Sequence, residues 1–241
     1  MTSFEQSKTH NTLLRTVTPQ IFARLADAME RVDLPVKYVL VEDGVAPSHI
    51  HFLEEGLASV VATSSDEEAI EVGHIGREGA TGMHVMLAVP ATPGRTFMQV
   101  AGSGIRVPLN VFTEAVFSDL EARDFFLRYV HTTILQLAHS ALANARYSMQ
   151  ERLARWLLMC HDRLDGDNLA VTHEFLALML GVRRSGVTDQ LHILEGRRAV
   201  RSTRGNVRIL NRDMLLDIAG GCYGVPEREY EKVVGLPWRV K

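Results

Sequence analysis

The 241-residue sequence predicts an α+β protein in which antiparallel β-structure comes first and helices follow. Three observations carry this prediction. Short strand-like runs separated by glycines fill the first 110 residues, an almost unbroken helical pattern follows to about residue 161, and shorter helices ending in a hairpin occupy the last third. The composition, 46% hydrophobic and 23% charged, is that of an ordinary globular protein.

The N-terminal half has the texture of a closed antiparallel β-structure. Residues 18–32 come first and predict a short helix with Ile21, Phe22 and Leu25 on one face, ended by Leu34-Pro35. The strand-like runs are residues 36–41, 50–54, 57–63, 69–75, 96–101 and 105–109. Several short strands at regular spacing with glycine turns favour a roll, a barrel or a sandwich.

The central helical region carries a heptad pattern. Apolar residues recur at steps of seven and, between them, at steps of three: Leu120, Leu127, Ile134 and Ala141, with Val130 and Leu137. Such a pattern over about three heptads predicts a seam between two helices, hence a dimer interface. The alternative is one amphipathic helix packed on its own domain, which the same spacing allows.

Residues 172–191 predict two helices joined by a glycine turn. Thr172 is a good N-cap before an apolar run, and Gly181 can adopt the left-handed conformation that ends a helix. A second helix then begins near Arg183 or Arg184 with Val187 and Leu191 on its buried face. This spacing is that of a helix-turn-helix. A two-stranded hairpin around Gly205-Asn206 follows, as in a winged helix-turn-helix.

Charge separates this last module from the rest of the chain. The whole sequence has a net charge of −3, and thirteen acidic residues oppose eight basic ones up to residue 110. From residue 183 to 212, eight arginines oppose only Asp189 and Glu195. A locally basic module on an acidic protein indicates a polyanionic partner for that module, and the helix-turn-helix makes double-stranded DNA the predicted one.

The candidate DNA-binding residues lie at the start of each helix and in the hairpin. They are Thr172, His173, Arg183, Arg184, Ser185, Thr188, Asp189, Arg201 and Arg204, with Arg208 further along the hairpin. Arginine can bond guanine with two hydrogen bonds, and Ser or Thr can meet bases or phosphates. We expect Arg184 to read a base and Arg204 to meet phosphate, with Asp189 holding a neighbouring arginine in place.

Three segments resemble the Crp/Fnr family of regulators, which includes the cyclic-AMP receptor protein. They are residues 50–56 (IHFLEEG), 152–158 (RLARWLL) and 181–188 (GVRRSGVT), the last similar to the recognition helix of alphaproteobacterial members. The resemblance implies a cyclic-nucleotide-binding-like β-roll over residues 1–110, a dimerisation helix over 111–147 and a winged helix-turn-helix domain over 148–241. It also implies a homodimeric transcription regulator with an inverted-repeat operator, and RNA polymerase and a small-molecule effector as further partners.

The family's cyclic-nucleotide cassette is only partly present. It begins with Gly-Glu and ends with Arg-Ser or Arg-Thr, whereas this chain has Gly82-Met83 at the start and retains Arg95-Thr96 at the end. Loss of the carboxylate leaves the ribose hydroxyl unpaired, which costs about 1–3 kcal/mol. We therefore expect an effector other than cyclic AMP and no bound cofactor. The alternatives are cyclic-nucleotide binding retained through Arg95 and Thr96, and a roll without any ligand.

Other classes of function find less support in the sequence. His49 and His51 alternate on one strand and could share a metal or haem, but scattered histidines are more often surface or hydrogen-bonded residues, so we assign no metal site. Gly102-Ser103-Gly104 lacks the spacing of a nucleophile elbow, and no Walker loop occurs, so no enzyme is predicted. A third class is a cyclic-nucleotide sensor that regulates another protein without binding DNA. The arginine-rich module argues against it, because such a sensor has no need of a DNA-binding surface.

Location and redox state follow from what the sequence lacks. No run approaches the 18–20 apolar residues, roughly, of a membrane span, and the first fifteen residues are polar, unlike a secretory signal. Cys160 and Cys222 are too few for a disulfide scaffold or a four-thiolate cluster. We therefore expect a cytoplasmic protein with reduced thiols and no membrane partner.

Overall fold

The computed structural model describes residues 4–239 and confirms the predicted α+β fold class. The N-terminal part contains α1 (Thr12–Thr16), α2 (Pro19–Ala26), β1 (Glu30–Leu34), β2 (Val39–Val41), β3 (His49–Leu53), β4 (Leu57–Thr63), β5 (Ala69–Ile75), α3 (Met83–Met86), β6 (Arg95–Val100) and β7 (Gly102–Pro108). The C-terminal part contains α4 (Leu109–Phe117), α5 (Leu120–Arg146), α6 (Met149–Arg163), β8 (Asn168–Leu169), α7 (His173–Leu180), α8 (Arg184–Gly196), β9 (Val200–Thr203), β10 (Asn206–Ile209), α9 (Arg212–Ala219) and α10 (Val225–Val234).

Two antiparallel sheets form the roll. One has the strand order β1-β7-β3 and the other β2-β6-β4-β5. In β3, Ile50 and Phe52 face the helices and join the large core that they share with α2, α4 and α5. Leu53, on the opposite face, joins a small apolar cluster with Leu34 and Met98 between the sheets. His49 and His51 alternate with Ile50 and Phe52, so they belong to this inner face of the roll.

The N-terminal region differs from the prediction. The helix expected over residues 18–32 ends at Ala26, and residues Glu30–Leu34 form strand β1 instead. This segment pairs with β7, with Glu30 opposite Arg106 and Leu34 opposite Gly102. Pairing with a strand some seventy residues away overrides local preference, which is why the boundary was wrong. Helix α1 was not predicted.

The long helical region is three helices rather than one. The Asp119 carboxylate accepts from the Ala122 N–H at 2.9 Å and starts α5. Ser148 and Glu151 form a reciprocal capping box that starts α6. The break between α5 and α6 therefore has a sequence cause, and it lies next to the boundary expected at residues 147 and 148.

The last third packs around its own apolar core. Leu157, Leu176 and Leu191 are fully buried in a cluster built from α6 to α9 and the small sheet β8-β10-β9. Helix α10 leaves this cluster and packs against α5, where Tyr230 donates a hydrogen bond to the Glu78 carbonyl of the roll at 2.7 Å. Among residues 4–239, no helix is long and apolar enough to cross a membrane.

Candidate nucleic-acid interface

The predicted helix-turn-helix is formed by α7 and α8. The Thr172 hydroxyl accepts from the Phe175 N–H at 3.1 Å and caps α7. Gly181 has a φ of 62°, the left-handed conformation that ends α7 and turns the chain. Helix α8 then buries Val187 and Leu191 completely against α6 and α7. These internal contacts fix which face of α8 points outward.

The outward face of α8 presents four of the predicted residues at its N-terminal end. Arg183, Arg184, Ser185 and Asp189 are all exposed. In the described part of the chain, neither arginine forms an ion pair, and the expected contact between Asp189 and a neighbouring arginine is absent. The two guanidinium groups are thus free to bond an outside acceptor.

His173 and Thr188 were expected to face DNA, but the structure joins them to each other. One ring nitrogen of His173, Nδ1, lies 3.0 Å from the Thr188 hydroxyl, and Nε2 lies 2.8 Å from the Ser202 hydroxyl in β9. Burial, and then the charges of Arg184 and His192, lower the pKa of His173. A neutral imidazole donates at one nitrogen and accepts at the other, which suits two hydroxyl partners. His173 therefore ties the second helix to the hairpin.

The hairpin β9–β10 carries arginines on its outer face. Arg201 and Arg208 are exposed and directly opposite each other in the register, and Arg204 is exposed in the connecting turn with Gly205. Like charges directly opposite in a sheet are unfavourable unless an anion lies between or beside them. Because Glu195 Oε1 accepts from the Ser202 N–H at 2.6 Å, the hairpin is held against the end of α8.

Arg212 does not belong to this basic surface. Its Nη2 lies 2.6 Å from Asp162 Oδ1, and the Tyr223 hydroxyl donates to Asp162 Oδ2, also at 2.6 Å. Burial and the neighbouring charge of Asp162 raise the pKa of the Tyr223 phenol. The other seven arginines between residues 183 and 208 form no ion pair within residues 4–239. The basic surface is therefore these seven: Arg183, Arg184, Arg197, Arg198, Arg201, Arg204 and Arg208.

The four tentative effector residues lie around α3 and the start of β6. Gly82 caps α3 with a φ of 77°, and a Cβ there would collide with Ile50. Met83 packs against the helical core, with its sulfur 3.9 Å from the Thr133 hydroxyl. Arg95 is directed to Glu42, with Nε 3.3 Å from Oε1, while Thr96 is buried. The Arg95–Glu42 pair is about half exposed, so a ligand phosphate would have to compete with Glu42 for this guanidinium.

The expected dimer seam is only partly accessible on this chain. Leu120 and Ile134 are 68% and 53% exposed and Ala141 is also exposed, while Leu127 and Leu137 are half-buried. Val130 is buried in the core of its own chain, which corrects its expected place in the seam.

On α5, the next exposed apolar residues lie four positions after Ile134 and Ala141, not three. They are Ala138 and Ala145, which the heptad pattern did not predict. Both spacings fit a helix, and only the packing of the roll decides between them.

Comparisons with known proteins show which proteins share this sequence pattern and this fold. Residues 151–218 match the family model described as a Crp-like helix-turn-helix domain. No curated protein matches the sequence.

Solved structures of Crp/Fnr proteins share the fold of most of the chain. FixK2 from Bradyrhizobium japonicum superposes with a TM-score of 0.67 at 14% identity, covering 80% of this chain and 98% of its own. A Crp-family transcriptional regulator from Thermus thermophilus gives 0.64 at 20% identity, with 80% and 97% covered. A Crp/Fnr-family protein from Eubacterium rectale gives 0.66 at 14% identity, with 86% and 97% covered. The chain thus carries a Crp-like helix-turn-helix domain at residues 151–218 and has the overall fold of Crp/Fnr transcriptional regulators.

Proposed function

We propose that this chain is a transcription regulator that binds double-stranded DNA sequence-specifically as a homodimer. The observation that supports this best is the combination of Arg183 and Arg184 at the exposed start of α8 with Arg201, Arg204 and Arg208 on the adjacent hairpin. All five lie on one module whose two parts are joined through His173. A helix of this kind reads the major groove while the hairpin meets the phosphate backbone.

The first prediction separates base reading from phosphate contact. We expect Arg184→Ala to cost about 1–3 kcal/mol per half-site on the specific operator and to relax specificity at one symmetric pair of positions. Arg204→Ala is expected to weaken all sequences alike and to reduce the salt slope by about one unit per contact. Fluorescence anisotropy measures both, on an operator selected from randomised duplexes and on a scrambled duplex, across a salt series.

The control for this experiment is Arg15→Ala, an exposed arginine at α1. It should change neither the affinity nor the salt slope. Equal losses on operator and scrambled DNA for Arg184→Ala would contradict base reading. No binding to any selected duplex would contradict the proposed function itself.

The second prediction concerns assembly. Ile134→Asp places a charge at the centre of the exposed face of α5, where it would be buried against its symmetry mate. We expect the dimer to become a monomer in analytical ultracentrifugation, with binding to the full operator lost. Arg128→Asp is the matched control, since this exposed residue lies on a different side of α5. A dimer unchanged by Ile134→Asp would show that the interface lies elsewhere.

A homodimer formed through α5 sets the form of the operator. Two recognition helices would lie about 34 Å apart and enter successive major-groove faces. The operator is therefore an inverted repeat with half-sites about one helical turn apart. The regulator acts in the cytoplasm with RNA polymerase as a further partner, without a cofactor or enzymatic activity. Residues 181–188 (GVRRSGVT), which lead into α8, resemble the recognition helix of alphaproteobacterial members, and we propose that the chain is of that type.

The third prediction is that cyclic AMP is not the effector. Met83 offers no carboxylate to a ribose hydroxyl, and a cyclic phosphate would have to compete with Glu42 for Arg95. Calorimetric titration of the intact protein with cyclic AMP should show no saturable binding at micromolar concentrations. Saturable binding that Arg95→Ala abolishes would instead support the alternative, a cyclic-nucleotide-responsive regulator acting through Arg95 and Thr96.

A further inference from the structure

A cleft opens in the roll between β2 and β3. It has a volume of about 510 Å³ and is lined by Tyr38, Val45, Pro47, His49, His51 and Arg106, among other residues. This volume is within the range of small-molecule sites. We call it the mouth cleft. Neither Met83 nor Arg95 lines it, although Glu42, which pairs with Arg95, does.

The floor of the mouth cleft is built from neighbouring strands. His51 lies directly opposite Arg106 in the pairing of β3 with β7, and His49 is two residues away on the same face. His51 is 7% exposed, and its Nδ1 is buried without a hydrogen-bond partner among residues 4–239. Buried polar atoms in proteins are nearly always paired. A partner for this nitrogen would have to come from outside the described residues.

The mouth cleft offers hydrogen-bond donors to an anion. Of the carboxylates nearby, Glu42 lies 3.3 Å from Arg95, and Glu30 accepts from Nε and Nη2 of Arg106 at 2.9 and 2.7 Å. No unpaired carboxylate therefore faces the histidines, and Nη1 of Arg106, which forms no hydrogen bond within residues 4–239, is left for a ligand. Burial, and then the charges of His49 and Arg106, lower the pKa of His51 to about 4. A metal ion fits less well, because no group of three or more His, Cys, Asp or Glu side chains in the described residues could hold one.

The walls of the mouth cleft are apolar. Val45 is 54% exposed at the rim, and Val39, Leu40, Ala46 and Pro47 complete that side. The Tyr38 ring stands edge-on to His51, with 6.3 Å between the ring centroids. A ligand with one charged end and a flat apolar body matches this arrangement of polar floor and apolar wall.

We propose that the mouth cleft binds a small organic carboxylate, with His49, His51 and Arg106 facing its charged end and Val45 and Pro47 covering its body. An anion beside His51 stabilises the protonated imidazole, so binding takes up a proton. Of the other titratable groups at this end, Tyr38 packs edge-on against His51, and Glu30 and Glu42 are each paired with an arginine, so neither is an unpaired negative charge that would oppose the anion. Affinity for the carboxylate should therefore rise as the pH falls from neutral.

The test uses benzoate, butyrate and phenylacetate, with benzamide as the neutral counterpart of benzoate. Calorimetry and imidazole NMR on the intact chain should show saturable binding of at least one acid, with benzamide at least about tenfold weaker than benzoate. Binding of that acid should be stronger at about pH 5 than at about pH 7, and the His51 resonances should move toward the protonated form.

Variants distinguish this site from binding elsewhere. His51→Phe keeps a planar ring without nitrogen, and Arg106→Gln keeps a polar side chain at the rim; each should weaken binding of the acid about tenfold. His10→Phe, an exposed histidine, is the matched control and should bind normally. Circular dichroism and thermal melting establish that each variant is folded. The proposal is overturned if none of the three acids binds at millimolar concentration, if benzamide equals benzoate, or if both folded variants retain full affinity. None of these outcomes depends on DNA binding.

Discussion

Arg163→Met is expected to reduce the free energy of unfolding by about 3–5 kcal/mol. Arg163 is 1% exposed, and its Nε donates to Glu78 Oε1 at 2.8 Å while Nη1 donates to the Met159 carbonyl at 2.8 Å. Burial alone would lower the pKa of Arg163, but the charges of Glu78 and Asp162 outweigh it and raise that pKa. Methionine would leave the Glu78 carboxylate, 4% exposed, buried and without its partner. Urea denaturation at neutral pH measures the loss.

A double-mutant cycle isolates the ion pair from the loss of packing. Glu78→Gln alone should also destabilise, because it leaves the guanidinium unpaired, whereas Arg163→Met with Glu78→Gln should cost less than the two single changes added together. Arg123→Met, at an exposed ion pair with Asp124, is the control and should stay within about 0.5 kcal/mol of the parent. A similarly small effect for Arg163→Met would contradict a structural role for this pair.

The Arg163–Glu78 pair also holds the two halves of the molecule together. Glu78 belongs to the roll and Arg163 to the end of α6, and the guanidinium lies 4.4 Å from the centre of the Trp238 ring. Trp238 Nε1 in turn donates to Asp162 at 3.2 Å. The segment after residue 218, beyond the matched helix-turn-helix domain, thus contacts both the roll and α6. These buried charges join the end of α6 to the roll, together with apolar contacts such as those of Leu57 in the cluster of the last third.

The helix-turn-helix could be predicted because its signals are local. The Thr172 cap, the Gly181 turn and the buried face of α8 each need only a few consecutive residues, and the structure places all three as expected. Strands β4 and β5 have the predicted bounds for the same reason, since their own composition and flanking turns define them.

The remaining features depend on contacts between distant residues. Strand β1 exists because β7 pairs with it, and Val130 is buried because the roll covers that side of α5. His173 has the position of a DNA contact in the sequence, yet Ser202, twenty-nine residues away, occupies its outer nitrogen. The sequence places Arg212 with the other arginines of the basic module, but in the structure it forms an ion pair with Asp162. Local periodicity carries no information about such partners.

His51 provides a pH-dependent stability prediction that follows from its burial. Its pKa is lowered from 6.5 to about 4, so the unfolded chain binds a proton at this histidine between these two pH values and the folded chain does not. The free energy of unfolding therefore has its full value, as far as His51 is concerned, above pH 6.5, and it decreases as the pH falls toward about 4. A shift of this size corresponds to a loss of about 3 kcal/mol across the window.

His51→Phe should remove this slope, because phenylalanine does not titrate. Urea denaturation of parent and variant at several pH values between neutral and about pH 4 gives the difference directly, and contributions from other histidines with lowered pKa values, such as His84 and His161, cancel in it. The variant should lose less stability than the parent on acidification, whatever its stability at neutral pH. His10→Phe should follow the parent. Parallel pH profiles for parent and His51→Phe would contradict a neutral, buried His51, and the positive field of His49 and Arg106 would then have to be neutralised by another group.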